Sequence, residues 1–206
     1  MIFNQGYLDV GHGHKIYFEE YGKKDGIPIL FLHGGPGAGF SFYHRKIFKY
    51  KKYHVIFFDQ RGSGKSIPLA GLKNNTTSYL INDIEKLRNH LNIKKWYVFG
   101  GSWGSTLAIL YGIEYPSNCL GFVLRGIFLG TIAEINWFLY DIKNFFPEAY
   151  QKFTAHIPNV HKNDILRWYY RIFTKGEKQK IYEQAAIWNN YESSCSTLKY
   201  QERTAT

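Results

Sequence analysis

A chain of 206 residues with 45% hydrophobic and 18% aromatic content can bury one sizeable core, which excludes an intrinsically disordered chain. The net charge of +10 raises nucleic acid as a partner, but Lys23-Lys24, Lys51-Lys52 and Lys94-Lys95 are short runs between predicted elements and read as solvated turn charges. No stretch approaches the roughly 18 uninterrupted apolar residues of a membrane span, Met1 to Phe18 carries no apolar export core, and Cys119 and Cys195 have no metal-ligand spacing, so the expectation is a soluble cytoplasmic protein with free thiols, without a zinc site, membrane or nucleic-acid partner.

In chain order, Tyr7 to Val10 and Lys15 to Tyr21 read as strands of a hairpin turned at Gly11-His12-Gly13. Pro28 to His33 is a continuous apolar run ending in the glycine-rich Gly34-Gly35-Pro36-Gly37-Ala38-Gly39, followed by a basic, aromatic segment with helical character. His54 to Asp59 repeats the apolar run, as expected of strands buried on both faces of a parallel sheet. Leu80, Ile84, Leu87 and Leu91 recur at helical spacing after Thr76-Thr77, which can cap the start. Trp96 to Gly100 is a third buried strand, Ser105 to Tyr115 a helix stopped by Pro116, and Gly121 to Arg125 a fourth buried strand. This alternation predicts a mostly parallel, doubly wound α/β sheet over residues 1–130. Residues 131–206 change texture to aromatic-rich helical stretches (Ile135 to Phe146, Ile165 to Phe173, Gln179 to Trp188) and read as a helical cap.

Gly100-Gly101-Ser102-Trp103-Gly104 lies between a predicted strand and a predicted helix, the context in which G-x-S-x-G forms a nucleophile elbow and exposes its serine at the carboxyl edge of an α/β-hydrolase sheet. Gly100 and Gly104 are expected because a Cβ there would crowd the turn. Ser102 is therefore the candidate nucleophile. Acyl transfer also needs donors for a developing oxyanion; the backbone N–H of Trp103 supplies one, and the loop after the earlier strand supplies the other, with Gly35 preferred over Gly34. Arg61-Gly-Ser-Gly-Lys-Ser66 looks like half of a phosphate-binding loop, but Asp59 occupies the position of its first glycine, so a tight connection with Asp59 paired to Arg61 is expected instead.

His33-Gly-Gly-Pro-Gly37, Asp59-Gln-Arg-Gly-Ser-Gly-Lys-Ser66, Asp83 to Arg88, Trp96 to Leu107 and Leu124-Arg-Gly-Ile-Phe128 together resemble the prolyl aminopeptidase (proline iminopeptidase) family, with Lys65 where that family often has Arg. The resemblance implies release of N-terminal proline from peptides through Ser102, without metal or cofactor. It also implies a Trp-x-x-Trp-Glu segment in the cap whose carboxylate holds the substrate's amino terminus; Trp188-Asn-Asn-Tyr191-Glu192 is similar, with Tyr for the second Trp. A serine nucleophile needs a histidine base and an orienting carboxylate, which follow it in this fold. His156 and His161, the later histidines, sit in the cap-like region, so the triad Asp and His and the last strands are expected beyond Thr206, leaving Leu120 to Leu124 on an open edge. The alternatives are a non-catalytic peptide-binding chain and an esterase on the same fold; the oligomeric state stays open.

Overall fold

A computed structural model describes residues 1–196, so residues 197–206 of the expected cap lie outside the described residues. The chain divides into two compact units, Met1–Leu129 and Gly130–Thr206.

In the first unit, β1 (Ile2–Gly11) and β2 (His14–Gly22) form the expected antiparallel hairpin. Its turn takes Gly11, His12 and Gly13 through positive φ, which two glycines accept without steric cost. β1 starts earlier than its apolar pattern suggests, because Ile2 to Gly6 pairs with β2 through the backbone while its side chains stay mostly in water. β3 (Ile27–Leu32), β4 (Tyr53–Phe58), β5 (Trp96–Ser102) and β6 (Cys119–Ile127) complete a sheet of order β1-β2-β4-β3-β5-β6, in which β2 meets β4 antiparallel and the pairings from β4 to β6 are parallel.

The continuous apolar runs have the expected cause. Leu30, Leu32, Ile56, Phe58 and Val98 face α2 (Thr77–His90) and α3 (Trp103–Glu114), while Ile29, Phe31, Val55 and Phe57 pack on the other side against Phe48 and Phe40. The segment carrying Phe40 and Phe48 is helical only over α1 (Phe42–Arg45), since the N–H groups of Lys52 and Tyr53 both return to the Lys49 carbonyl and turn the chain into β4. Thr76 does sit at the N-cap of α2, yet its hydroxyl makes no capping bond; burial of Leu80, Ile84 and Leu87 holds the helix. Among the described residues β6 pairs with β5 alone, and Leu120, Phe122, Val123 and Ile127 are exposed.

The second unit, among its described residues, is helical throughout. The stretch expected as one helix from Ile135 breaks into α4 (Ile132–Asn136), a π turn (Trp137–Asp141) and a 3-10 turn (Ile142–Asn144) before Pro147 opens α5 (Pro147–Thr154). A capping box between Thr131 and Glu134 starts α4. α6 (Ile165–Lys175) and α7 (Lys178–Cys195) follow, the latter about two turns longer at its end than its pattern suggests. The core of this unit is aromatic: Phe153 stacks between Tyr169 and Tyr191, and Trp188 meets Phe153 and Tyr169 edge-on.

Candidate active site

Ser102 closes β5 and Trp103 opens α3, so the serine sits on the strand-to-helix turn. Its backbone is at φ 53° and ψ −124°, a positive-φ conformation that costs a non-glycine residue roughly 1–3 kcal/mol and persists only where packing over-determines it. Both flanking glycines supply that packing. A Cβ on Gly100 would lie 2.2 Å from the Gly104 carbonyl oxygen, and one on Gly104 would lie 2.2 Å from the Leu32 carbonyl oxygen in β3. The Ser105 hydroxyl donates to the Ser102 carbonyl at 2.6 Å and accepts the Phe128 N–H at 3.0 Å, which pins the start of α3. The Ser102 side chain is open to solvent.

The glycine loop after β3 lies against this turn: a Cβ on Gly34 would stand 3.4 Å from Ser102 Cβ and 3.9 Å from its Oγ. Gly35 is at φ 117°, and a Cβ there would strike the Gly37 and Ala38 nitrogens, so glycine is required. His33 orients the loop. The backbone N–H of Gln60, which can only donate, points at His33 Nε2 at 3.1 Å; the ring proton is therefore on Nδ1 and is donated to the Gly34 carbonyl at 2.8 Å. Across the trans peptide between Gly34 and Gly35, C=O and N–H point in opposite directions, so fixing that carbonyl aims the Gly35 N–H away from the His33 ring. No described group takes the Gly35 N–H. The Trp103 N–H is likewise spare, being in the first turn of α3.

Burial pushes the His33 imidazole down to about 4 from its ordinary 6.5, so it is neutral at pH 7 and keeps its Nε2 lone pair for Gln60. Between those two values the unfolded chain binds a proton that the folded chain does not, so stability falls as pH drops through this window and is retained above it. The expected observation, by ¹⁵N NMR of the ring, is a neutral Nδ1–H tautomer that titrates near pH 4; a midpoint near 6.5 would contradict the buried arrangement.

Arg61 does not pair with Asp59. Its Nε and Nη2 donate to Asp83 Oδ2 and Oδ1 in α2 at 2.6 and 2.8 Å, with further bonds to the Asn74 and Val10 carbonyls. Asp59 is occupied locally: Oδ1 accepts the Phe40 N–H and Oδ2 the Lys65 N–H, each at 2.8 Å. The loop from Arg61 to Ser66 thus wraps a carboxylate, and Gly64 has no room for a Cβ against it. An anionic phosphate would meet like charge there.

In the second unit, Trp188 and Glu192 fall one turn apart on α7, on one face. Trp188 is half-buried in the aromatic core, and Tyr191 is buried with its hydroxyl donating to the Phe138 carbonyl at 2.8 Å. Glu192 is exposed, yet the bulk around it withdraws enough water to push its carboxyl above the ordinary range. Among the described residues no group of three or more His, Cys, Asp or Glu could hold a metal ion, no helix is long and apolar enough to cross a membrane, and both cysteines are free.

Gln60 is the residue that the motif reading passed over. It is buried, and its side chain reaches both the glycine loop and Trp103. An amide set between Asp59 and Arg61 directly after a continuous apolar strand is the signal that could have drawn attention to it.

A family profile described as the alpha/beta hydrolase fold matches residues 27–189. A probable proline iminopeptidase of Leptolyngbya boryana is 45% identical over 197 residues, covering 95% of this chain and 61% of the relative. A proline iminopeptidase of Arabidopsis thaliana is 43% identical, covering 96% and 52%. The chain therefore spans only about half to three fifths of the length of these relatives. Among solved structures, a proline iminopeptidase-related protein of Thermus thermophilus superposes with a TM-score of 0.53 at 29% identity, over 59% of this chain and 43% of that one. A Vigna radiata epoxide hydrolase, at 19% identity, TM-score 0.57 and coverage of 77% and 52%, shares the fold alone. With the profile spanning most of its length and Ser102 on the strained strand-to-helix turn after β5, this chain belongs to the α/β-hydrolase fold family.

Proposed function

We propose that this chain carries the nucleophile portion of a serine aminopeptidase that releases N-terminal proline from peptides. The observation that carries the reading is Ser102 on its strained turn with the glycine loop alongside; the named relatives supply the substrate class. In this reading Ser102 Oγ attacks the carbonyl carbon of the first residue, and the N–H groups of Gly35 and Trp103 receive the oxyanion. The C–N bond breaks, the remaining peptide leaves as an amine carrying the serine proton, and water releases proline from the acyl-enzyme. No described residue is assigned the roles of base and orienting carboxylate.

In this reading residues 1–130 are the hydrolase core segment and residues 131–206 the substrate-recognising cap segment. Glu192 holds the substrate's cationic secondary amine, with Trp188 shaping an apolar surround in which a charge-assisted hydrogen bond is strong. No cofactor enters, and free thiols at Cys119 and Cys195 fit a reducing, cytoplasmic setting.

The test joins the 206 residues to the remaining segment of the Leptolyngbya boryana relative and measures turnover of a chromogenic proline amide beside a simple aryl ester. The expected result is amide turnover abolished by Ser102→Ala, with Glu192→Gln raising KM for the amide at least about tenfold and leaving the ester rate unchanged. Ester turnover without amide turnover would identify an esterase. Loss of both rates to the same extent in Glu192→Gln would remove the amine-binding role.

A further inference from the structure

We propose that Gln60 is a positioning residue: its single side-chain amide ties the glycine loop to the nucleophile turn and so sets the spacing between the two oxyanion donors. The inference rests on the reading of Ser102 as a nucleophile and adds to it a residue that contacts neither substrate nor oxyanion.

Gln60 follows β4 and is 2% exposed. Nε2 donates to the His33 carbonyl at 3.0 Å, and Oε1 accepts the indole N–H of Trp103 at 3.0 Å. Its backbone N–H fixes the His33 ring, as described above, and its backbone carbonyl accepts the Ser63 hydroxyl at 2.7 Å. Every polar group of the residue is therefore in use. The amide orientation follows from its partners: a carbonyl can only accept and an indole N–H can only donate, so Nε2 must face His33 and Oε1 must face Trp103. The reversed amide would set donor against donor and acceptor against acceptor.

This makes the position specific to glutamine. Glutamate keeps an acceptor for Trp103 but turns a second oxygen onto the His33 carbonyl, and leucine supplies neither bond. The two tied residues are the ones that matter for spacing. His33 precedes the Gly34-Gly35 peptide and holds its carbonyl, and Trp103 carries the other donor on its own backbone nitrogen. Donors to a developing oxyanion act by being held in place beforehand, and misplacement by about 1 Å costs on the order of a hundredfold in rate.

The test uses the 206 residues joined to the remaining segment of the Leptolyngbya boryana relative, as above, with two readouts. Amide hydrogen exchange at position 60, whose N–H is held by the His33 ring, and at Phe128, whose N–H is held by Ser105 at the start of α3, reports the loop and the turn, and labelling of Ser102 by a fluorophosphonate, followed by mass spectrometry with Ser102→Ala as control, reports reactivity. Gln60→Leu and Trp103→Phe, which keeps the backbone donor and removes only the indole N–H, should each speed exchange at position 60 and slow labelling by about tenfold or more. The double variant should lose no more than the worse single one, because both changes cut the same tie. The Trp103 indole ¹H–¹⁵N resonance should lose its hydrogen-bonded shift in Gln60→Leu and keep it in Gln60→Glu.

Exchange and labelling within about twofold of wild type in both single variants, or losses that multiply in the double variant, would overturn the proposal. Absence of labelling in the joined protein without substitutions counts against the nucleophile reading, and the exchange rates and indole shift then decide the tie on their own. Should Gln60→Leu unfold, Trp103→Phe and Gln60→Glu carry the same comparison.

Discussion

Gly104→Ala is expected to destabilise the first unit by at least about 3 kcal/mol, because the added methyl meets backbone rather than a side chain that can swing away. The new Cβ would lie 2.2 Å from the Leu32 carbonyl oxygen and 3.0 Å from that of His33, so either α3 or the end of β3 must move. β3 is paired on both sides, to β4 and to β5, which blocks the second route. Displacement of α3 would instead shift the Trp103 N–H relative to that of Gly35, and Ser102 labelling should fall with stability. Gly6→Ala is the control: its methyl meets only ordinary contact with Phe18 at 3.8 Å, and a change within about 0.5 kcal/mol is expected. Urea denaturation followed through a ¹⁹F-labelled Trp96 indole, fully buried in the same core, measures both. Equal stability of the two variants would show that the turn does not depend on glycine at this position.

The second large effect lies at Asp83, which is fully buried against Arg61. Asp83→Ala should cost about 3–5 kcal/mol, since it strands a guanidinium that has no access to water. The remaining bonds from Arg61 to the Asn74 and Val10 carbonyls, and the Tyr79 ring 4.8 Å from its centre, cannot neutralise the charge. The double change Arg61→Met with Asp83→Leu should recover most of the loss, because it removes the desolvated charges together. A single-variant loss below about 1 kcal/mol in the same denaturation experiment would place the pair among weak, solvated ion pairs.

The parts of this fold that were legible in the sequence are those written locally. The hairpin announces itself through Gly11-His12-Gly13, the buried strands through unbroken apolar runs such as Val55 to Phe58, and the Ser102 turn through the glycines on either side. Arg61 shows where such reading fails. Asp59 is two residues away and was the natural partner, but its carboxylate is consumed by the Phe40 and Lys65 N–H groups, and the guanidinium reaches Asp83 on a helix that nothing in the local pattern connects to it. Gln60 was missed for a related reason: its partners, His33 and Trp103, lie at two other strand ends, and only the sheet order brings all three together. In the second unit the aromatic spacing conveyed helix but not its interruptions; the π turn at Trp137–Asp141 occurs where Leu139 and Ile142 enter the core, a tertiary placement that pattern alone does not encode.

The strand order also dictates when the Ser102 turn can exist. β3 must pair with β5, joining Leu30 to Val98, whereas the β4 partner of β3 joins Ile29 to Val55 and lies far closer in the chain. Closing the longer loop costs more entropy before any contact repays it. A growing or refolding chain therefore completes the hairpin and the β3–β4 pair early and must wait for β5 before Gly104 can seat against Leu32. The Ser102 turn is assembled late, and any delay in β3–β5 pairing leaves a chain with most of its sheet and Ser102 outside its strained geometry.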